Sequence, residues 1–194
     1  MWVSSARRPT IVGETHPGAI RNGADEYRES LTRLVGELGV EDSVRFVNHY
    51  LTKDEIISYL AASDIYITPY INPHQICSGT LAYAVAAGRA IISTGYLHAR
   101  FLLGANRGLL VDFASPASIA GAALLVLDTP ELQAELESRT RAYGRRLLWA
   151  EVGARYRNLL SEVISRQPRP PRRVSATRTV VVPAPPPVAG SVAQ

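Results

Sequence analysis

Short apolar runs rich in β-branched residues alternate with longer amphipathic stretches over the first 111 residues, and this alternation limits the fold more than any other feature. The pattern is typical of βα units, which build a parallel sheet with helices on its faces. We therefore predict an α/β fold with a parallel sheet. Strands are predicted at 10–13, 43–47, 64–69, 89–93 and 108–111, and helices at 24–38, 53–62, 78–87 and 97–103.

Local signals mark several helix boundaries. Thr52 followed by Glu55 predicts a capping box, in which each side chain binds a free amide at the helix start. Ser115 and Thr129 each stand before a proline and predict two further helix starts. The last three helices are predicted at 116–127, 130–146 and 149–165. Because no strand separates these helices, we expect them to pack over an edge or face of the sheet, or to reach toward another domain.

The net charge of +4 is concentrated near the end of the sequence. Five of the 21 basic residues lie in 166–194, which contain no acidic residue, so the other 16 basic residues nearly balance the 17 acidic ones. A domain that reads nucleic acid carries its positive charge on a structured face. The distribution therefore argues against a nucleic-acid partner.

Residues 167–194 have a different composition from the rest, with PRPPRR and PAPPP blocks that cannot form helices or bury a core. We predict that this tail is disordered. Its arginines leave several interpretations open: peripheral contact with an anionic membrane surface, binding of acidic partners, docking of its PxxP-like pattern in an SH3-type groove, and a solvated linker.

Cysteine usage and hydropathy indicate a cytoplasmic protein. Cys77 is the only cysteine, so the chain can form no internal disulfide, CxxC redox motif or cysteine-rich zinc cluster. No histidine shows metal-ligand spacing, and we expect no metal site. The sequence contains neither a secretory signal nor an apolar run long enough to span a membrane.

The segment 69–94 places Ser-Gly-Thr and a helix of small residues between two predicted strands. Ligands of parallel α/β sheets bind at the carboxyl ends of strands, where helix starts offer free amides to anions. A helix beginning at Ser78 therefore predicts an anion or polyol site, and Gly79 would let a ligand approach the backbone closely. A well-capped buried helix with no ligand is the alternative.

Several motifs in order give the chain a resemblance to the carboxyl-terminal domain of the retaining GT-B glycosyltransferases of family 4. They are IVGE at 11–14, LGVEDSVRFVNHY at 38–50, ASDIYITPY at 62–70, AVAAGRAIIST at 84–94, RGLLV at 107–111 and WAEVGARYRNLL at 149–160. The resemblance implies a Rossmann-like half of a GT-B fold at 10–166, preceded by a remnant at 1–9.

In that family this domain binds a nucleoside-diphosphate sugar, which serves as co-substrate, and neither a cofactor nor an obligatory metal is needed. The resemblance implies sugar transfer with retention of configuration. Two family carboxylates, spaced by seven residues, contact the sugar and the ribose, but their positions fall on Gln75 and Tyr83 here. The donor-binding residues that we predict are Gln75, Ser78, Gly79, Thr80 and Tyr83, together with His16 and His74 facing the same edge. No catalytic residue is assigned.

Two parts of the resembled enzymes lack a counterpart in this sequence. One is the acceptor-binding amino-terminal domain, so we expect a partner that supplies it, and the sequence leaves open whether the chain is active alone. The other is the first strand of the donor domain, which would lie in the middle of the sheet. Either the strand at 10–13 pairs directly with that at 64–69, or another segment fills the slot, for which Thr179–Val182 is the spare β-prone run.

These departures leave a rival hypothesis from a different class. A half-domain without the two carboxylates could be a non-catalytic protein-interaction module that binds partners through its tail. We favour the donor-domain module of a glycosyltransferase, because Gln75 and the Tyr83 hydroxyl can still form hydrogen bonds to a sugar and a ribose.

Overall fold

The computed structural model describes residues 8–15 and 25–166. The strands form two parallel sheets, one of two strands and one of three. The predictions for 1–7, for 167–194 and for His16 lie outside the described residues. The strands are β1 Thr10–Val12, β2 Arg45–Val47, β3 Ile65–Thr68, β4 Ala90–Thr94 and β5 Leu109–Val111.

Seven α-helices complete the described structure, each within two residues of its predicted boundaries. They are α1 Glu26–Glu37, α2 Lys53–Ala62, α3 Gly79–Ala86, α4 Leu97–Leu103, α5 Pro116–Asp128, α6 Pro130–Gly144 and α7 Trp149–Arg166. The predicted βα alternation through β5 is thus confirmed. Two short 3-10 helices, Glu41–Ser43 and Arg145–Leu147, were not predicted.

All three helix starts that the sequence signals predict are confirmed, and at two of them the N-cap side chain forms a hydrogen bond. The capping box is formed: the Thr52 amide donates to Glu55 Oε2 at 2.8 Å, and the Glu55 amide donates to Thr52 Oγ1 at 3.3 Å. Ser115 Oγ accepts from the Ser118 amide at 3.2 Å. Thr129 is the N-cap residue of α6, with Pro130 at the first helical position as predicted, but its side chain forms no capping hydrogen bond.

The core surrounds β4, whose five residues are all buried. One cluster packs on Ile91 with side chains from α2, α3 and α4, including Leu60, Leu81 and Leu102. A second, smaller cluster packs on Ala90 with side chains from α5 and α6, among them Val126 and Leu136. Since α5 and α6 pack against β4, the expectation that these helices cover the sheet is confirmed for both.

The carboxyl ends of α3 and α6 are in close contact. Gly144, the last residue of α6, lies so near α3 that an added Cβ would meet Ala86 Cα at 2.9 Å and the Val85 carbonyl oxygen more closely still. Gly88, just after α3, has a φ of +68° and faces the Arg141 side chain. The two helices therefore approach through backbone atoms rather than through interdigitated side chains.

The two sheets do not join through β1 and β3 in the described part of the chain. β1 pairs with β2, with Thr10 opposite Arg45, and β3 pairs with β4, with Ile65 opposite Ala90. Direct pairing of the 10–13 and 64–69 segments, one of the two predicted solutions, is therefore wrong. The exposed fractions of Ile11 and Ile67 are 36% and 40%, so both strands show apolar side chains that paired central strands normally bury.

The chain divides into two compact units at Val152. The first contains both sheets and the helices through α6. The described part of the second is the helix from Gly153 to Arg166, whose apolar residues recur at helical spacing. Among the described helices, none combines the length and the apolar character needed to cross a membrane.

Candidate donor site at the start of α3

The loop 69–78 joins β3 to α3 at the carboxyl edge of the three-stranded sheet. The first part of the loop contacts β4 and the second residue after β4. Thr94 Oγ1 donates to the Tyr70 carbonyl at 2.6 Å, and the Tyr70 and Tyr96 rings lie 5.0 Å apart. Beyond this anchor the loop forms a shallow, open cleft, which is lined by Tyr70, Ile71, Asn72 and Gln75.

Ser78 caps α3 and is itself almost fully buried, with 5% of its surface exposed. Its Oγ accepts from the Leu81 amide at 3.3 Å, and its own amide donates to His98 Nδ1 at 2.9 Å. Sequence reasoning placed this amide among the ligand-binding amides, but in the structure it is already bound to His98. The next two amides, those of Gly79 and Thr80, donate to no residue in 8–15 or 25–166, and they remain available at the positive end of the helix.

Thr80 and Tyr83 have different orientations on α3. Thr80 Oγ1 accepts from the Tyr66 hydroxyl at 2.8 Å, so the Thr80 side chain turns toward the sheet and only its amide is free for a ligand. Burial raises the pKa of Tyr66, which keeps this donor protonated. Tyr83 lies one turn after Gly79 on the same side of the helix, with 37% of its surface exposed.

Gln75 and His74 lie together in the tight middle of the loop. Gln75 Nε2 donates to the Cys77 carbonyl at 2.6 Å, which leaves its Oε1 and second amide hydrogen for other partners. The His74 amide donates to Asn72 Oδ1 at 3.0 Å, and the residue is exposed, with no hydrogen bond or ion pair from the imidazole to a residue of 8–15 or 25–166. The loop thus brings five predicted residues together: His74, Gln75, Ser78, Gly79 and Thr80.

His98 is the site residue whose role the sequence analysis missed. It lies in the first turn of α4, and its backbone amide donates to the Gln75 carbonyl at 3.2 Å while its ring accepts from Ser78. Burial lowers the pKa of His98, which favours the neutral ring that this hydrogen bond requires. Its contact with Ser78 spans 20 residues of sequence, so no local motif marks it.

The carboxyl end of β1 is organised separately. Arg28 Nη2 donates to the Gly13 carbonyl at 2.6 Å, and the guanidinium lies 5.4 Å from the Phe46 ring centroid. Asp25 caps α1, and a hydrogen bond with Thr15, more than any other contact, holds the pKa of Asp25 below its ordinary value. These contacts join α1 to β1 and leave Asp25 occupied as the cap of α1.

The site can bind a ligand by dipoles and hydrogen bonds but offers no proton-transfer group of the carboxylate type. Residues 69–88 contain no aspartate, glutamate, lysine or arginine. The free amides of Gly79 and Thr80 suit a phosphate or a sugar hydroxyl, and Gln75 and Tyr83 add neutral donors and acceptors. The arrangement therefore fits recognition of an anionic or polyhydroxy ligand.

Comparison with protein families gives a match over most of the described chain. The family described as "Glycosyl transferases group 1" matches residues 7–129, which include β1 to β5, the 69–78 loop and the start of α3. A comparison with curated protein sequences gives no significant match.

Solved structures share the fold. Sucrose-phosphate synthase from Thermosynechococcus elongatus is 22% identical, with a TM-score of 0.64, over 81% of this chain and 39% of that one. HepE of Anabaena in complex with UDP is 18% identical, with a TM-score of 0.68, over 80% of this chain and 41% of that one. The C-terminal domain of LpcC, a group 1 family protein of Francisella tularensis, is 18% identical, with a TM-score of 0.60, over 70% of this chain and 67% of that domain. The chain thus spans about two fifths of the first two proteins and has the Rossmann-like α/β fold that they share.

Proposed function

Because the chain belongs to the glycosyl transferases of group 1, we propose that it is the donor-binding module of a retaining glycosyltransferase. It binds a nucleoside-diphosphate sugar, without a metal or another cofactor, and acts with an acceptor-binding domain in the cytoplasm. The observation that carries the proposal is the start of α3, where the free amides of Gly79 and Thr80 stand at the carboxyl edge of β3 beside Gln75. The match to HepE, whose structure was solved with UDP and with UDP-glucose, makes UDP-glucose the first donor to test.

The proposed binding mode assigns each residue a neutral role. The diphosphate accepts hydrogen bonds from the Gly79 and Thr80 amides, and the helix dipole favours its negative charge. Gln75 meets a sugar hydroxyl through Oε1 or its second amide hydrogen, and the Tyr83 hydroxyl meets the ribose. His74, exposed beside Gln75, is assigned a hydrogen bond to a sugar or phosphate oxygen.

Thermal denaturation with UDP-, GDP- and ADP-sugars tests donor binding directly. A ligand at 100 times its Kd adds about 2.7 kcal/mol to the free energy of unfolding, which raises the midpoint by roughly 5–10 °C in a chain of this size. We expect one nucleotide to give such a rise and the others little. A cooperative transition that none of the donors moves would refute the donor site.

Two matched tyrosine variants then locate the ligand. Tyr83→Phe removes one hydroxyl contact and should weaken donor binding by about 2–10-fold, the equivalent of one hydrogen bond. Tyr59→Phe makes the same change on the second half of α2, which leads into the amino end of β3, and should leave the affinity unchanged. Equal affinities for both variants would remove Tyr83 from the site. The anomeric configuration of the product, read by NMR in the presence of an acceptor domain, tests retention.

A non-catalytic interaction module is the second candidate, and the neutral side chains of Gln75 and Tyr83 favour it. Without carboxylates at these positions, the site lacks the charge-assisted hydrogen bonds that would hold the sugar and the ribose. This candidate predicts a stable fold and no midpoint shift with any nucleotide sugar. Measurable sugar transfer by the chain, with or without an acceptor domain, would exclude it.

A further inference from the structure

Three hydrogen bonds join the first turn of α4 to the 73–78 loop. The Leu97 amide donates to the Pro73 carbonyl at 3.1 Å, and the His98 amide donates to the Gln75 carbonyl at 3.2 Å. In the third hydrogen bond the loop is the donor: the Ser78 amide donates to His98 Nδ1 at 2.9 Å. The last of these three contacts is the only one that a side chain makes, so it is the one that a substitution or a change of pH can break.

The chemistry of the contact fixes the state of the imidazole. A backbone amide is always a donor, so the ring nitrogen that it meets must carry a lone pair. His98 is therefore neutral, with its hydrogen on Nε2, which donates to no residue in the described part of the chain. Protonation would place a second hydrogen between Nδ1 and the Ser78 amide, and the contact would become repulsive.

Loss of the contact would be costly at this place, because Ser78 is buried. A buried amide without an acceptor is unfavourable, and the chain would relieve it by moving the loop. Ser78 is also the cap of α3, so its backbone orientation sets the direction in which the next two amides, those of Gly79 and Thr80, point. Gln75 would move as well, since its carbonyl is bound to the same residue of α4.

We infer that neutral His98 is a positioning residue of the nucleotide-sugar site, and that its protonation weakens donor binding. The inference rests on the proposed function, since it assigns a regulator to that same site. His98 does not need to touch the donor; it acts through Ser78 and Gln75. The ordering of the loop and the affinity for the donor therefore depend on one ring nitrogen.

The direction of the pH dependence follows from burial, which is the cause of the lowered pKa of His98. The folded chain prefers the neutral ring, so the contact is complete above the ordinary histidine value of about 6.5 and is lost as the pH falls through the lower, folded value. Other titratable or charged groups on the loop, the adjoining segment, α3 and α4 are Tyr70, His74, Cys77, Tyr83, Tyr96 and Arg100. Of these, His74 is the other histidine, so it is replaced in a control variant.

Isothermal titration with UDP-glucose between about pH 5 and 8 tests the inference, because the diphosphate of this donor does not change its charge in that range. In the wild-type chain we expect the affinity to be constant above about pH 7 and to fall as the pH drops through the folded pKa of His98, which burial lowers below its ordinary value of about 6.5. His98→Asn keeps an acceptor, Oδ1, at the place of Nδ1 but cannot be protonated. This variant should bind within about threefold of wild type at pH 7.5 and lose the pH dependence.

His98→Ala removes the acceptor and should weaken binding about tenfold at every pH, the penalty of one buried unpaired amide. His74→Ala is the matched control: it removes the histidine of the loop, and the fall in affinity at low pH should remain because His98 is still present. The inference is wrong if His98→Asn keeps the wild-type pH profile, or if His98→Ala binds as tightly as wild type at pH 7.5.

Hydrogen exchange at the Ser78 amide separates this inference from the proposed function. His98→Ala should lower the protection factor of that amide by at least about tenfold, and His98→Asn should preserve it, whether or not a donor is present. If wild type does not bind any nucleotide sugar while Ser78 protection depends on His98, the proposed function fails and the positioning contact stands. If Ser78 protection is the same in His98→Ala and wild type, the positioning role fails, whatever the chain binds.

Discussion

Gly144 is required by a contact rather than by its backbone conformation. Its φ of −57° and ψ of −34° suit any residue, but a Cβ would press against the Val85 carbonyl and Ala86 of α3. Backbone atoms cannot rotate away as a side chain can. Gly144→Ala should therefore separate α3 from α6 and lower the free energy of unfolding by about 1–3 kcal/mol in urea denaturation.

Gly121, inside α5, is the matched control for this substitution. A Cβ added there meets no atom within 4 Å. Gly121→Ala should raise the free energy of unfolding by about 0.5–1 kcal/mol, because alanine loses less backbone entropy than glycine in a helix. If both variants change stability equally, the α3–α6 contact is looser than described.

The side-chain contacts around the start of α3 could be predicted only in part from the sequence. The loop 69–78 and the cap at Ser78 could be predicted, because residue type and spacing along the chain mark them. The bonds from Ser78 to His98 and from Tyr66 to Thr80 depend on which side chains the fold brings together. Sequence reasoning therefore placed the loop and the cap of α3 correctly, but it treated the Ser78 amide as free for a ligand, whereas this amide donates to His98.

The capping box of Thr52 and Glu55 stabilises the start of α2, and substitution of Thr52 tests its contribution. Thr52→Ala removes the hydroxyl that accepts from the Glu55 amide and should cost about 1 kcal/mol of stability at pH 7. Hydrogen bonds from the Thr52 amide and then from its hydroxyl hold the pKa of Glu55 below its ordinary value. The stabilisation that this carboxylate gives is complete above about pH 4.3 and is lost as the pH falls through the lower, folded value, so the cost should shrink in acid.

Urea denaturation of Thr52→Ala from about pH 3 to 7 measures this dependence, and Thr32→Ala provides the control. Thr32 lies on exposed positions of α1 and donates to the Arg28 carbonyl at 3.1 Å without capping the helix. Its replacement should change stability by less than about 0.5 kcal/mol at any pH. A Thr52→Ala cost that stays constant down to pH 3 would mean that Glu55 does not contribute to the cap.

Element boundaries could be predicted well because most of their signals are local. Periodicity, caps and prolines lie within a few residues of the helix ends that they mark. Strand pairing is different, since it depends on segments far apart in sequence. The sequence left two alternatives open, and the direct pairing of β1 with β3 is the one that the structure excludes. At Thr129 a residue type that often caps helices stands at the right position without forming the hydrogen bond.

At the scale of the whole molecule, stability is distributed unevenly between the two sheets. β4 is buried along its length and paired on both sides, whereas β1 and β2 form a two-stranded sheet with mostly exposed or half-buried residues. Two strands alone are marginally stable in water. Native-state hydrogen exchange should therefore find the slowest amides in β4 and the fastest strand amides in β1.

We expect the two sheets to differ in the free energy of the opening that allows hydrogen exchange. Exchange from β4 should require global unfolding, while β1 and β2 should open locally with a smaller free energy. Addition of a partner polypeptide that pairs with the edge of β1 opposite β2, where no strand of 8–15 or 25–166 lies, should slow exchange in β1 and β2 more than in β4. Equal protection of all five strands in the isolated chain would contradict the uneven distribution.

The eight residues of α3 give the chain a practical property for protein engineering. One end, at Ser78, belongs to the proposed ligand loop, and the other, at Val85 and Ala86, meets Gly144. The ends are about 12 Å apart at the helical rise, beyond the distance at which substitutions usually interact. A library that varies 71–77 could therefore retune ligand preference with little loss of stability, provided that Tyr70, which anchors the loop, and Ser78, His98 and Gly144 are left unchanged.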